Sequence, residues 1–406
     1  MRYGRLPDLI AAAIVLLASL PVLAGTPAPG ADAALDAEIA AQMEAGGLAG
    51  IGAAILVDGK VAWSKGYGHA DLAKGVPFTP RTVMNIGSIS KTVTGVALMQ
   101  AVEDGLLSLD ADINDYLPFE VRNPHRPGMP ITLRQLATHT SGITDRWAVY
   151  RDTYYYDGAT PEPLDAFLAG YFTPNGKLYQ PDNFLDVAPG THREYSNIGA
   201  GLAGYIVERA VGEPLGAYAK RRIFEPLGMR DSGWSLADID RARHAALYVS
   251  LHGLAVPIPL YEGTTYPDGG VRTSVADLSR LFAALLGEGA YEGVRILEAS
   301  SAREMLRFHY TEADKPDNVS LQEKNSGIFW QTKFNTTRMG HGGTDPGIGT
   351  DMLSSVSRDV GVVLFTNTST TGEEVMAYVR IFEVLWKRAQ AMQAGEGSLS
   401  AAAARN

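Results

Sequence analysis

The sequence predicts an α+β fold. A central antiparallel sheet flanked by helices is assembled from the N- and C-terminal parts of the chain, around a mostly helical insertion at about residues 110–265. Three observations predict it. Short apolar runs lie near both ends: Gly50 to Val57 and Lys60 to Gly66 early, then Gly327 to Phe334, Thr350 to Val356 and Val360 to Thr366 late. Asp58-Gly59 joins the first pair and Ser357-Arg358-Asp359 the last pair, both as hairpin turns. Between the two groups, apolar residues recur at helical spacing, interrupted by loops rich in Pro and Gly.

The elements follow in order. Residues 25–34 are rich in Ala, Gly, Pro and Thr and read as a linker ahead of a domain spanning 35–393. Ala34 to Met43 has helical spacing, and the first hairpin comes next. Ser88 to Glu103 is helical, with Val93, Val96, Ala97 and Gln100 on one side and Gly105 as its C-terminal stop. In the insertion, Tyr195 to Ala210 and Pro214 to Ile223 are the clearest helices. Residues 150–190 carry many Tyr, Pro, Asp and Asn residues with little periodicity. That stretch is too long for a plain connection, and it reads as a functional loop or small subdomain over a site. Ser274 to Asp277 reads as a capping box opening a helix to about Leu286. Glu373 to Ala391 is a closing amphipathic helix, and 394–406 a small, polar, disordered tail.

Bulk properties narrow the function. The chain has 406 residues, 46% of them hydrophobic and 20% charged, enough for a sizeable core. Its formal net charge of −10 repels phosphate backbones, so no nucleic-acid partner is expected. With no cysteine, thiol nucleophiles, disulfides and Cys-ligated metals are excluded. The histidines show no metal-ligand spacing, so neither a metal nor another cofactor is expected. Arg2 and Arg5 precede an apolar stretch from Leu9 to Leu23, and Val22-Leu23-Ala24 offers small residues for cleavage, so residues 1–24 read as an export signal. The stretch is shorter than the roughly 20 apolar residues of a spanning helix. The expected product is periplasmic or secreted, with no membrane span after cleavage.

Three segments carry chemistry. In Ser88-Ile89-Ser90-Lys91, residues three apart share a helix face, so an amine can sit beside a hydroxyl and take its proton if burial or nearby cations lower the lysine pKa. The free N–H groups at the helix start favour developing negative charge there. In Tyr195-Ser196-Asn197, a phenol and an amide two residues apart reach one cleft if the segment is a loop, the phenol as general acid and base. In Gly340-His341-Gly342-Gly343-Thr344, where an apparent strand meets a turn, glycines allow close backbone approach to a ligand beside an imidazole.

In this order and at these separations, the three segments resemble the motifs of the serine β-lactamase and penicillin-binding superfamily, and most of all its class C-like branch of DD-peptidases, D-aminopeptidases, esterases and acyltransferases. Supporting stretches are similar too: Leu136 to Gly142 (with one extra Ala), Ile223 to Met229, and Asp268-Gly269-Gly270 ahead of the Ser274 helix. The resemblance runs from about residue 35 to 390. It implies a β-lactamase/transpeptidase-like fold and a serine hydrolase that needs no cofactor and acts on a small-molecule or peptide substrate. Ser88 would be acylated and Lys91 would be its base, with Tyr195 sharing the proton. Asn197 would hold Lys91 and substrate. His341 would stand in the third motif, and the backbone N–H groups of Ser88 and of Thr344, after Gly343, would form the oxyanion hole. The family's His139 segment is mainly structural.

His341 departs from the lysine that β-lactamases carry in the third motif. An imidazole binds a substrate carboxylate more weakly at neutral pH, so efficient β-lactam hydrolysis is not expected. The expected substrate is a small ester, a D-amino-acid peptide or a peptidoglycan fragment, with a β-lactam as the remaining alternative. Two other readings are open: a penicillin-recognising sensor that acylates with little turnover, and an acyltransferase.

Overall fold

The computed structural model describes residues 29–156, 162–251, 254–372 and 374–395. The expected export signal and most of the expected tail lie outside them. An eight-stranded antiparallel sheet is built from β1 (Gly50–Val57), β2 (Lys60–Asp71), β3 (Val76–Pro77), β4 (Ser326–Gly327), β5 (Trp330–Lys333), β6 (Arg338–Asp345), β7 (Ile348–Ser355) and β8 (Val360–Thr366). Its order is β4-β5-β6-β7-β8-β1-β2-β3, so β8 and β1, from opposite ends of the chain, pair at the centre, with Ile51 opposite Thr366 and Val57 opposite Val360. The expectation of a sheet closed by both ends of the chain holds.

Both faces of this sheet are covered, which is why its central strands read as unbroken apolar runs. Ile51, Ala53 and Ile55 of β1 pack with Val362 and Leu364 of β8 against α1 (Pro29–Gly46) and the C-terminal helix Glu374–Gln393. The alternate residues Ala54, Leu56, Val363 and Phe365 face the larger core, which contains α2 (Ser90–Glu103) and the helix Val275–Leu286. Ser274 caps that helix by accepting the Asp277 amide. Its Leu278, Leu281, Phe282 and Leu285 are buried, each stabilising the fold by about 1.5–3 kcal/mol relative to exposure. Among the described residues, no helix is long and apolar enough to cross a membrane.

Several expectations need correction. Helix α1 begins at Pro29, so residues 29–34 are helix and not linker; Pro is well placed in a first helical turn, where its missing N–H has no intrahelical partner. The run from Gly327 to Phe334 is two strands, β4 and β5, joined through Phe329, whose φ is +47°. Residues 150–190 hold the helix Leu164–Phe172, and the insertion also contains the hairpin Leu247–Leu251/Leu254–Ile258. The Gly340 to Thr344 segment lies wholly within β6 and not at a strand–turn junction. The helix expected from Tyr195 starts at Asn197, forming α3 (Asn197–Val211), and leaves Tyr195 in the loop before it.

Candidate active site

Ser88 sits in a single 3₁₀ turn, Gly87–Ile89, that feeds directly into α2. Gly87 has φ +51°, a conformation natural to glycine, and it turns the chain sharply enough to leave Ser88 half-exposed while Ile89 and Ser90 are buried. The turn is tied down on both sides. The Ser90 hydroxyl accepts the Val271 amide at 3.0 Å, and the Thr350 hydroxyl of β7 donates to the Ile86 carbonyl at 2.9 Å. Strand β6 runs against the same turn so closely that a Cβ on Gly343 would lie 2.1 Å from the Ile86 carbonyl oxygen. Only glycine fits there. The requirement for a bare backbone in the third segment is therefore contact with the Ser88 turn.

One helical turn after Ser88, Lys91 is completely buried. Its ammonium donates to the Ser88 hydroxyl at 3.1 Å, to Asn197 Oδ1 at 2.7 Å and to the Asp268 carbonyl at 3.0 Å. Three donors meet three acceptors. The Tyr195 ring centroid lies 5.0 Å from the same nitrogen. Burial drags the Lys91 pKa down, but Tyr195, Asp268 and Asp145 push it up by more, so the net direction is upward. This corrects the expectation of a lysine made basic by a lowered pKa: acidic neighbours outweigh desolvation, and the amine rests as ammonium.

Tyr195 and Asn197 are placed by groups the sequence did not advertise. Asp145 accepts the Ser196 hydroxyl at 2.7 Å and the backbone amides of Asn197 at 2.7 Å and Ile198 at 3.1 Å. A carboxylate thus sits on the N-terminus of α3, where the free N–H groups and the dipole favour negative charge. Ser196 caps the helix further by accepting the Gly199 amide. His139, with φ +60°, accepts the Ser196 amide on Nδ1 at 3.3 Å and packs its ring 4.3 Å from that of Tyr195. Burial, then Arg193 and Lys91, push its pKa well down, so it supports Tyr195 as a neutral ring.

His341 is buried on β6, its ring 6.3 Å from that of Tyr195. Burial and the Lys91 charge hold its pKa well below the ordinary value. Its Nδ1 lies 2.7 Å from the Gly342 carbonyl, which only an N–H can satisfy, and Nε2 faces the Gln331 amide at 3.4 Å. The ring is neutral, with its free lone pair toward Gln331. Gly343 is buried against the Ser88 turn, and Thr344, the next residue of β6, is exposed. Lys91 thus joins Ser88, Asn197 and Tyr195, His341 faces Tyr195, Gly343 packs against the Ser88 turn, and Thr344 follows it on β6.

Behind Lys91 lies an acidic, tyrosine-rich recess of about 20 Å³, lined among others by Tyr150, Tyr154, Asp268 and Asp345. Tyr150 donates to Asp268 at 2.9 Å and Tyr154 to Asp345 at 2.7 Å. Burial raises Asp268 to about 6 and Asp345 to about 7. Tyr154 pairs with a carboxylate 191 residues away, a contact that leaves no local pattern.

The geometry sets a serine hydroxyl beside a buried lysine on an α+β scaffold. The family model described as Beta-lactamase matches residues 35–385, so the chain belongs to the β-lactamase family of serine hydrolases. Esterase EstB of Burkholderia gladioli is 29% identical over 55% of this chain and 61% of its own length. The chain spans about half the length of the curated relatives it matches, 45% for one from Dictyostelium discoideum. A penicillin-binding protein homologue from Pyrococcus abyssi superposes with a TM-score of 0.68 at 25% identity, over 88% of this chain and 77% of that one. A β-lactamase/D-alanine carboxypeptidase from Pseudomonas syringae shares the fold at TM-score 0.67 and 23% identity, over 87% and 99%.

Proposed function

We propose that this protein is an exported serine acyl hydrolase that forms an acyl-enzyme on Ser88 and cleaves a small ester or a D-amino-acid amide. The observation that carries the reading is the buried Lys91 ammonium bridging Ser88 Oγ and Asn197 Oδ1. As Ser88 Oγ bonds to the substrate carbonyl carbon, its proton passes to the Tyr195–Lys91 pair, which accepts it in the form that has already released one proton to water. The backbone N–H groups of Ser88 and Thr344 receive the oxyanion. The same pair returns a proton to the departing alcohol or amine as the bond to carbon breaks. Water then attacks the Ser88 ester through the reverse proton path and releases the acid.

Neutral His341 offers no cation to a substrate carboxylate, which favours esters and amides without a carboxylate over β-lactams. Export rests on Arg2, Arg5 and the apolar stretch Leu9 to Leu23. The test is intact-mass spectrometry with p-nitrophenyl esters, D-peptides and a fluorescent penicillin. An adduct with turnover is expected for an ester or D-peptide, and Ser88→Ala should lose both adduct and turnover at unchanged melting temperature. Normal turnover by Ser88→Ala would overturn the assignment, and one slow equivalent of penicillin without further product would favour the sensor. Sequencing the mature N-terminus after expression tests export; an intact Met1 on protein retained in the cytoplasm overturns it.

A further inference from the structure

We propose that the Asp268 carboxylate is a positioning residue for Lys91, pairing with its ammonium from 3.8 Å and thereby setting the pH at which Ser88 can be deprotonated. The inference rests on the acyl-enzyme reading of Ser88 and extends it to a residue outside the three motifs. Asp268 belongs to the short helix Tyr266–Gly269, and it meets Lys91 twice. Its backbone carbonyl accepts one ammonium hydrogen at 3.0 Å, and its carboxylate lies just beyond hydrogen-bond range of the same nitrogen. Both side chains are buried, at 0% and 3% exposure, so water screens the pair little. Among the described residues, Lys91 is the one cation within ion-pair range of Asp268.

The carboxylate is itself held in place. Tyr150 donates to one oxygen at 2.9 Å. The other oxygen is buried without a protein partner, as is Asn85 Oδ1, and both residues line the recess of about 20 Å³, room for a single water. The helix is fixed against α2 because the Thr94 hydroxyl donates to the Pro267 carbonyl at 2.6 Å. The charge is therefore aimed at Lys91 by packing on both sides.

Other groups act on the same charge. Tyr195 and Asp145, from the loops before α3, raise the proton affinity of Lys91 together with Asp268. His139 and His341 face Lys91 as neutral rings. Beyond Asp268, Asp345 at the end of β6 is paired with Tyr154 and lies near the charges of Asp268 and Arg272. Of the described carboxylates, Asp268 alone comes within 4 Å of the ammonium. Its removal should change the lysine most.

The consequence has a definite sign. A negative charge beside Lys91 stabilises the ammonium, so acylation by the basic form must wait for higher pH. In the wild-type protein, the ascending limb of acylation rate against pH should lie above about pH 7. Asp268→Asn keeps the shape and an acceptor for Tyr150 while removing the charge. Its limb should move acidward by about one pH unit or more, a tenfold or larger change in proton affinity. The experiment follows the rate of Ser88 labelling by a p-nitrophenyl ester, by stopped-flow and intact mass, from pH 5 to 10. A limb that stays put in Asp268→Asn while the rate falls uniformly would reduce Asp268 to a packing role and overturn the proposal. If the variant does not fold, the wild-type profile still decides, because full-rate labelling already at pH 7, where Asp268 is ionised, would mean that Lys91 is not held as ammonium. Labelling that persists in Ser88→Ala would instead remove the acyl-enzyme reading, a failure distinguishable from an unmoved limb with Ser88 labelled.

Discussion

Asp145→Ala should damage both stability and turnover, because a single carboxylate holds the start of α3 and Asn197 with it. The substitution strips the Ser196 hydroxyl and the amides of Asn197 and Ile198 of an acceptor at 2.7, 2.7 and 3.1 Å. A charged acceptor contributes about 1.5–3 kcal/mol per hydrogen bond where water is kept out. Asp145 is half-buried, and water will replace part of the loss, so the three bonds together should cost about 2–4 kcal/mol. Unfolding entropy near 2.1 cal/mol/K per residue over roughly 360 ordered residues converts this to a Tm drop of about 3–5 °C. Turnover should fall further than stability. Asn197 Oδ1 is the shortest contact of Lys91, and displacement of about 1 Å at a catalytic group can cost on the order of 100-fold. Asp145→Asn, which keeps one acceptor oxygen, should lose about half as much stability. Differential scanning fluorimetry and kcat/KM on the best ester measure both effects. A Tm within 1 °C of wild type together with unchanged kcat/KM would refute the argument that this carboxylate positions Asn197.

Two further substitutions probe the walls of the site. Gly343→Ala places a Cβ 2.1 Å from the Ile86 carbonyl oxygen, so β6 or the Ser88 turn must move. A stability cost of about 1–3 kcal/mol and a loss of kcat/KM on the order of 100-fold are expected, readable by thermal melts and steady-state kinetics. Asp345 is raised to about 7, so the folded state binds its proton more tightly than the unfolded chain does. That contribution is full below the unfolded value near 4 and disappears as pH rises through about 7. After discounting for partial exposure, Asp345→Asn should therefore gain about 1–2 kcal/mol relative to wild type on going from pH 5 to pH 8, seen as a flatter dependence of Tm on pH. An equal slope in both proteins would mean that the carboxylate is not desolvated.

Local chemistry made much of the fold legible. Asp58-Gly59 turns β1 into β2, Ser274 starts its helix, and the apolar run Val360 to Thr366 is β8 residue for residue. Each signal lies within a few residues of the structure it creates. Ser88 and Lys91 were legible for the same reason, since three residues on a helical path suffice to bring them together. The errors fall where a tertiary contact overrules local preference. Tyr195 has helical company in sequence, yet it stays outside α3 because Ser196 and Asp145 cap the helix one step later.

By itself, the sequence determined that both ends of the chain supply strands, that a hydroxyl and an amine share one helical face, and which two further segments belong beside them. Only the tertiary structure decided the charge on that amine. Asp145 and Asp268 lie far from Lys91 in sequence, and neither their spacing nor the Asp268-Gly269-Gly270 stretch tells that their charges meet the ammonium. A lysine pKa is fixed by the sum of desolvation and all nearby charges in space, so the direction of its shift follows from packing and not from spacing.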